Sequence, residues 1–184
     1  RRMSNKNESH YKIDLPAVVS FSGGRTSGYL LWHILDAHGG QPDGLKACFQ
    51  NTGLEHEKTL EFIHQCEAWC DITWLEYDLD EDNKHATKVV DYESASRKGE
   101  PFTKMIRYFG YLPNPVARMC TANLKIRTAN RWLRVQEGFE EGWTSAVGLR
   151  ADEPHRARRI QSDSTLLCRG NSTDGRSVVE GATL

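Results

Sequence analysis

Apolar residues in this chain follow two alternating rhythms. Ala17-Val18-Val19-Ser20-Phe21 is a short, β-branched run that reads as a buried strand at about 17–21, and it stops at Ser22-Gly23-Gly24. Beyond the glycines Leu31, Ile34, Leu35 and His38 recur at helical spacing, which predicts a helix over 27–38. The same reading gives a strand at 46–50, a helix at 57–69 and a strand at 72–77. A polar connection follows, then a helix near 101–109, a long helix at 121–137 and a strand near 143–148. On the long helix Ile126, Ala129 and Leu133 form the expected buried face, and Arg127, Arg131 and Arg134 the solvated one. Strands alternating with helices imply right-handed βαβ crossovers, and so an α/β fold: three layers, doubly wound, around a mainly parallel, Rossmann-like sheet. Residues 13–161 are expected to form one domain. It is preceded by a flexible N-terminus at 1–12 and followed by a weakly ordered, Ser/Asn/Gly/Thr-rich tail at 162–184.

Sheets of this kind bind ligands beyond the carboxyl ends of their strands. Three segments fall at such ends: the Ser22 loop, Asn51-Thr52-Gly53 and Gly148-Leu149-Arg150. In the first, the glycines tolerate positive φ and let backbone approach a ligand closely. The helix amides from about Thr26 to Tyr29 have no intrahelical partner and, with the helix dipole, favour an anion. Ser22, Thr26 and Ser27 add hydroxyl donors. The loop has neither the Gly-Lys-Ser/Thr ending of a Walker site nor the Gly-x-Gly-x-x-Gly dinucleotide pattern.

Composition narrows the setting. A chain of 184 residues can bury a sizeable core. No apolar run approaches the ~20 residues of a membrane span, and the polar first ten residues are no signal peptide, so a cytoplasmic protein is expected. Five irregularly spaced cysteines do not suggest a disulfide framework, and Cys66 and Cys70 fit core packing. Seven scattered histidines make no metal pattern. The net charge is −1, yet residues 51–93 hold twelve Asp/Glu against three Lys/Arg, and residues 97–159 hold thirteen Lys/Arg against six Asp/Glu. The basic half suits a polyanionic ligand, a sulfonucleotide or a nucleic acid. Within it Arg118 and Lys125 flank Cys120 near a predicted helix N-terminus, which favours a thiolate; the competing account of Cys120 is an iron–sulfur ligand. Arg150 either clamps a phosphate or sulfate or pairs with Glu153. Asp152 and Glu153 either hold Arg150 and Arg156 or act as base or Mg²⁺ ligands.

Ser20-Phe21-Ser22-Gly23-Gly24-Arg25-Thr26-Ser27 resembles the PP-loop of the adenine nucleotide α-hydrolase-like superfamily. Three further segments resemble its phosphoadenosine phosphosulfate (PAPS) reductase family, in that family's order: Phe49-Gln50-Asn51-Thr52-Gly53 with Glu57 to Phe62, Arg118-Met119-Cys120-Thr121-Ala122-Asn123-Leu124-Lys125, and Val147 to Arg156. The loop itself is similar to that of phage- and prophage-borne members. The resemblance implies an adenine nucleotide (PAPS, adenosine phosphosulfate or ATP) on Ser20, Ser22, Gly23, Gly24, Arg25, Thr26 and Ser27, with Phe49, Asn51, Thr52 and Gly53 completing its pocket. It places the substrate anion on Arg118, Lys125, Gly148, Arg150 and Arg156, supported by Asp152 and Glu153, with Cys120 as the catalytic residue. The implied chemistry is sulfonucleotide reduction or sulfur transfer with a reductant protein such as thioredoxin. Its alternatives are Mg²⁺-dependent adenylation of a nucleic acid or small substrate, and non-catalytic nucleotide binding by a phage protein. The sequence departs from the family in three ways. Thr26 stands where nucleotide-hydrolysing members often carry Asp, Arg25 where many carry Lys, and no Cys-Gly-Leu-His-type or Gly-Asn-Cys-x-x-Cys signature is present. Oligomeric state is left open.

Overall fold

A computed structural model describes residues 11–114, 119–150 and 177–182. The chain runs β1 (Ala17–Ser20), α1 (Arg25–His38), β2 (Leu45–Asn51), α2 (Glu57–Cys66), β3 (Ile72–Leu79), β4 (His85–Val90) and α3 (Glu100–Phe109). A π-helix (Thr121–Arg127) then passes directly into α4 (Thr128–Leu133), followed by β5 (Thr144–Arg150) and β6 (Ser177–Ala182). The strands form one sheet in the order β4-β3-β2-β1-β5-β6. All pairings are parallel except β3 with β4.

Strand alternation divides the core between the sheet's two faces. Ala17, Val19 and Phe21, Leu45, Ala47 and Phe49, and Ile72 and Trp74 pack with Leu31 and Ile34 of α1 and Leu60 and Ile63 of α2. Val18, Cys48 and Leu75 face the other way, onto Ala129 and Leu133 of α4 with Phe139 and Trp143. Farther along that face Tyr77 packs with Met105 of α3 and with Met119 and Leu124. Helices therefore cover both faces of a mostly parallel sheet, the α/β class expected. Among the described residues no helix is long and apolar enough to cross a membrane.

Three expectations change. The polar connection after β3 contains β4, which folds back antiparallel through the turn at Asp80–Lys84. As an edge strand it buries only Val90 and leaves Val89 exposed, so its sequence lacks the apolar run of a central strand. The segment read as a weakly ordered tail includes β6, which pairs with β5 in the register Ser145↔Ser177. The single long helix at 121–137 is instead a π-helix followed by a short α-helix ending at Leu133. The wider π turn re-phases the buried face. Asn123, Leu124, Thr128, Ala129 and Leu133 are buried whereas Ile126 is only half-buried, and the Thr128 hydroxyl donates to the Asn123 carbonyl five residues back at 2.8 Å. Arg131 is correspondingly no solvated residue. Its guanidinium donates to the Ala86 carbonyl at 3.1 Å and to the hydroxyls of Thr87 and Thr128, tying α4 to β4.

Candidate functional site at the β1/β5 switch point

From β1 the chain builds outward through β2 to β3, and β5 lies on the other side of β1. The winding therefore reverses between β1 and β5, and the crevice beyond that point is where doubly wound sheets place ligands. The Ser22 loop and the end of β5 both border it.

The loop is shaped from within. Ser27 is buried, and its hydroxyl donates to the Gly24 carbonyl at 2.9 Å and accepts from the Ser22 amide at 3.2 Å. The Ser22 hydroxyl stands 3.1 Å from that of Ser27. Ser22 is exposed and Ser27 is an internal strut that holds the loop. Gly23 has φ of 70°, and a Cβ there would lie 2.6 Å from Thr59 Cγ2 and 2.8 Å from Ile63 Cδ1 of α2. Its bare Cα lets the loop lie flat on α2. Gly24 is extended, opens onto free space and caps α1 with no side-chain hydrogen bond. The first intrahelical bond runs from the Gly28 amide to the Gly24 carbonyl at 3.0 Å, so the amides of Arg25, Thr26 and Ser27 precede the hydrogen-bonded ladder. No acidic residue occupies this first turn, and Arg25 is exposed with no ion pair among the described residues. Thr26 is half-exposed beside it.

Gly148 of β5 meets this turn from the other side. A Cβ on it would lie 3.0 Å from both Ser27 Cα and the Thr26 carbonyl oxygen. Only glycine lets β5 and the α1 N-terminus approach so closely, which brings the first and last motifs together. Arg150 is the final residue of β5. Arg118, Asp152, Glu153 and Arg156 lie outside the described residues.

The β2-end segment serves the fold in part. Phe49 is buried in the core, edge-on to Trp74 at 4.9 Å. Asn51 is fully buried: its amide donates to Glu76 Oε1 at 2.7 Å and to the Ser96 carbonyl at 2.9 Å, and its Oδ1 accepts from the Gly53 amide at 3.0 Å. Its side chain is likewise structural. Glu76, which sequence reasoning passed over, accepts the Ser96 amide at 2.7 Å and hydroxyl at 2.8 Å as well. Its signal in the sequence was a carboxylate in the middle of an apolar strand. Glu55 was missed too; it accepts from the Thr52 amide at 3.0 Å and hydroxyl at 2.8 Å and from the Leu54 amide at 3.1 Å. Gly53, at φ 77°, presses on the Gly99 backbone, leaving Leu54 exposed at the rim. Ser20, the last residue of β1, is half-buried between Cys48 and Val147.

On the opposite face Cys120 is half-exposed at the edge of the Tyr77–Met105 cluster, one residue before the π-helix. Cys48, Cys66 and Cys70 are buried, and burial pushes the Cys66 and Cys70 thiols up to about 11 and raises that of Cys48 further. Lys125 on the π-helix is exposed and makes no ion pair among the described residues. No group of three or more His, Cys, Asp or Glu is arranged for a metal among the described residues.

The fold and site define an α/β protein with a glycine-rich loop at the switch point of its sheet. The chain is 32% identical over 149 residues to the uncharacterized nin region protein ORF290 of Escherichia phage lambda, a match spanning 77% of this chain and 50% of that relative. It is 27% identical over 145 residues to the uncharacterized protein MJ0066 of Methanocaldococcus jannaschii, spanning 79% of this chain and 25% of that one. This chain thus spans half or less of the length of these relatives. No family model and no solved structure matches it.

Proposed function

We propose that this chain is a PAPS reductase-like protein of the PP-loop superfamily, binding the phosphate or sulfate groups of an adenine nucleotide at the N-terminus of α1. The observation that carries the reading is the meeting at the switch point of a helix N-terminus without a side-chain cap, the exposed Arg25, unpaired among the described residues, and the side-chain-free surface of Gly148. Such a cradle recognises an anion through backbone amides. Because the first turn of α1 supplies no carboxylate, the site favours a sulfonucleotide or bisphosphate over Mg-ATP.

The chemistry this reading carries is transfer of the sulfonyl group. A thiolate attacks the sulfur and an S–S bond forms as the S–O bond breaks, releasing adenosine bisphosphate. A second thiol of a reductant protein then attacks the cysteine sulfur, forming a disulfide and releasing sulfite. Cys120 is the thiol among the described cysteines that burial leaves open to this step.

The test is a melting series with PAPS, adenosine phosphosulfate and ATP, each with Mg²⁺ and with EDTA. A ligand at 100 times its Kd adds about 2.7 kcal/mol to folded-state stability. A rise with the sulfonucleotides that survives EDTA is the expected result. A rise confined to Mg-ATP moves the assignment to adenylation, and no rise with any nucleotide overturns it.

A further inference from the structure

The C-terminal half of α3 carries a surface that neither the core nor the proposed nucleotide site uses. Lys104, Arg107 and Tyr108, at i, i+3 and i+4, share one face of α3, and Tyr111 follows just past the left-handed Gly110 that ends the helix. All four are exposed, Tyr108 at 40% and Tyr111 at 53%, whereas Met105 on the opposite side is fully buried. The rings are joined in a series: His85 of β4 lies 4.5 Å from Tyr108, Tyr108 lies 5.1 Å from Phe109, and Phe109 lies 6.1 Å from Tyr111. The two tyrosines thus rest on neighbouring rings while both stay exposed to solvent.

Cations stand beside these rings, with the acidic turn Asp80-Glu81-Asp82 just ahead of His85 and Lys84 paired to Asp82 at 2.9 Å. Arg107 makes no ion pair among the described residues, and Arg127 is exposed, held by a hydrogen bond from Nη1 to Asn123 Oδ1 at 2.9 Å. Arg131 donates to the carbonyl of Ala86, next to His85, and lies over the Tyr77 ring whose hydroxyl meets His85, while the π-helix that carries Arg127 packs against α3 through Leu124 and Met105. The carboxylate paired within the patch is Asp78, bound by Lys104 at 2.5 Å. In a chain with a net charge of −1, this grouping is a local feature rather than a reflection of overall basicity.

We infer that this face binds single-stranded nucleic acid, with unpaired bases stacking on Tyr108 and Tyr111 and the backbone phosphates meeting Arg107 and Arg127. Exposed aromatic rings interleaved with exposed cations suit a ligand that offers π-faces and phosphates in alternation. A duplex hides its base faces and an acidic peptide has none, so neither uses the rings. The inference stands apart from the nucleotide assignment, since none of these residues lies at the α1 N-terminus.

Fluorescence anisotropy of a labelled 20-nucleotide oligothymidylate with the full chain tests it. Tyr108→Ala with Tyr111→Ala is expected to weaken binding at least tenfold, and Arg107→Gln to weaken it and reduce the slope of log affinity against log salt by about 0.7. Melting curves check that each variant stays folded, and Arg107→Gln, which removes no ring contact, is expected to melt as the parent does. Three outcomes overturn the proposal: oligothymidylate fails to bind, the variants bind like the parent, or a duplex or poly-glutamate competes as well as the single strand does. The melting shift with PAPS is measured on the same variants. If it persists while oligonucleotide binding is lost, the two sites are separate.

Discussion

Gly23 and Gly24 are adjacent and lack side chains for different reasons. Gly23 combines φ of 70° with α2 side chains closer than 3 Å to where its Cβ would stand, so Gly23→Ala is expected to destabilise the fold by about 1–3 kcal/mol. Gly24 is extended and faces open space, with Ser22 Oγ at 3.6 Å as its nearest neighbour. Gly24→Val should therefore melt close to the parent yet lose the nucleotide-induced rise, because its methyl groups occupy the space in front of the α1 amides. Paired melting curves with and without PAPS distinguish the two; a Gly24→Val protein that keeps the full shift removes the phosphate cradle from consideration. The serines show a comparable split, which spacing alone does not reveal. Ser22 and Ser27 look equivalent in the motif, but only the tertiary placement under Gly24 buries Ser27 and turns its hydroxyl inward.

At the level of elements, two histidines tie segments together in their neutral form. The Ile13 amide donates to His38 Nε2 at 3.3 Å, fastening the segment before β1 to the end of α1, and the Tyr77 hydroxyl meets His85 Nδ1 at 2.9 Å across the β3–β4 hairpin. Burial, then Lys12, lowers the His38 pKa; burial, then Arg131 and Arg127, lowers that of His85. The unfolded chain therefore takes up protons first as the pH drops. Stability is full above about pH 6.5 and declines as the pH falls below it, until the folded-state histidines titrate in turn. Urea midpoints at pH 7.5 and 5.5 should show this decline, and His38→Leu with His85→Phe should make it shallower. An unchanged difference in the double variant would assign the decline to other groups. The β3–β4 hairpin also shows why an element went unread. Apolar patterning reports burial, and an edge strand held by main-chain pairing and by Arg131 needs little of it.

Across the whole molecule, the carboxyl ends of β1 and β5 bring together residues more than a hundred positions apart, Ser27 and Gly148. Cys120 belongs to the layer on the other face of the sheet from α1. Iodoacetamide labelling at neutral pH, mapped by mass spectrometry, is expected to modify Cys120 well before Cys48, Cys66 and Cys70, whose thiols burial keeps protonated. PAPS should slow that labelling. If Cys120 labels at the same rate with and without PAPS, it lies outside the site and has no part in sulfonyl transfer.

The sequence alone determined the central strands, the helices between them and the position of the glycine loop, because each writes its burial or its turn into local periodicity: Ala17 to Phe21 as an apolar run, Leu31 to His38 at helical spacing, Gly23-Gly24 as the break between them. Only the tertiary structure decided the rest. The π turn depends on how Thr128 meets Asn123, the structural roles of Phe49 and Asn51 depend on Trp74 and Glu76 in a neighbouring strand, and the pairing of β6 with β5 depends on a partner outside its own segment. The physical reason is common to all three. Local pattern records whether a residue is buried, whereas its role depends on which distant residue it is buried against.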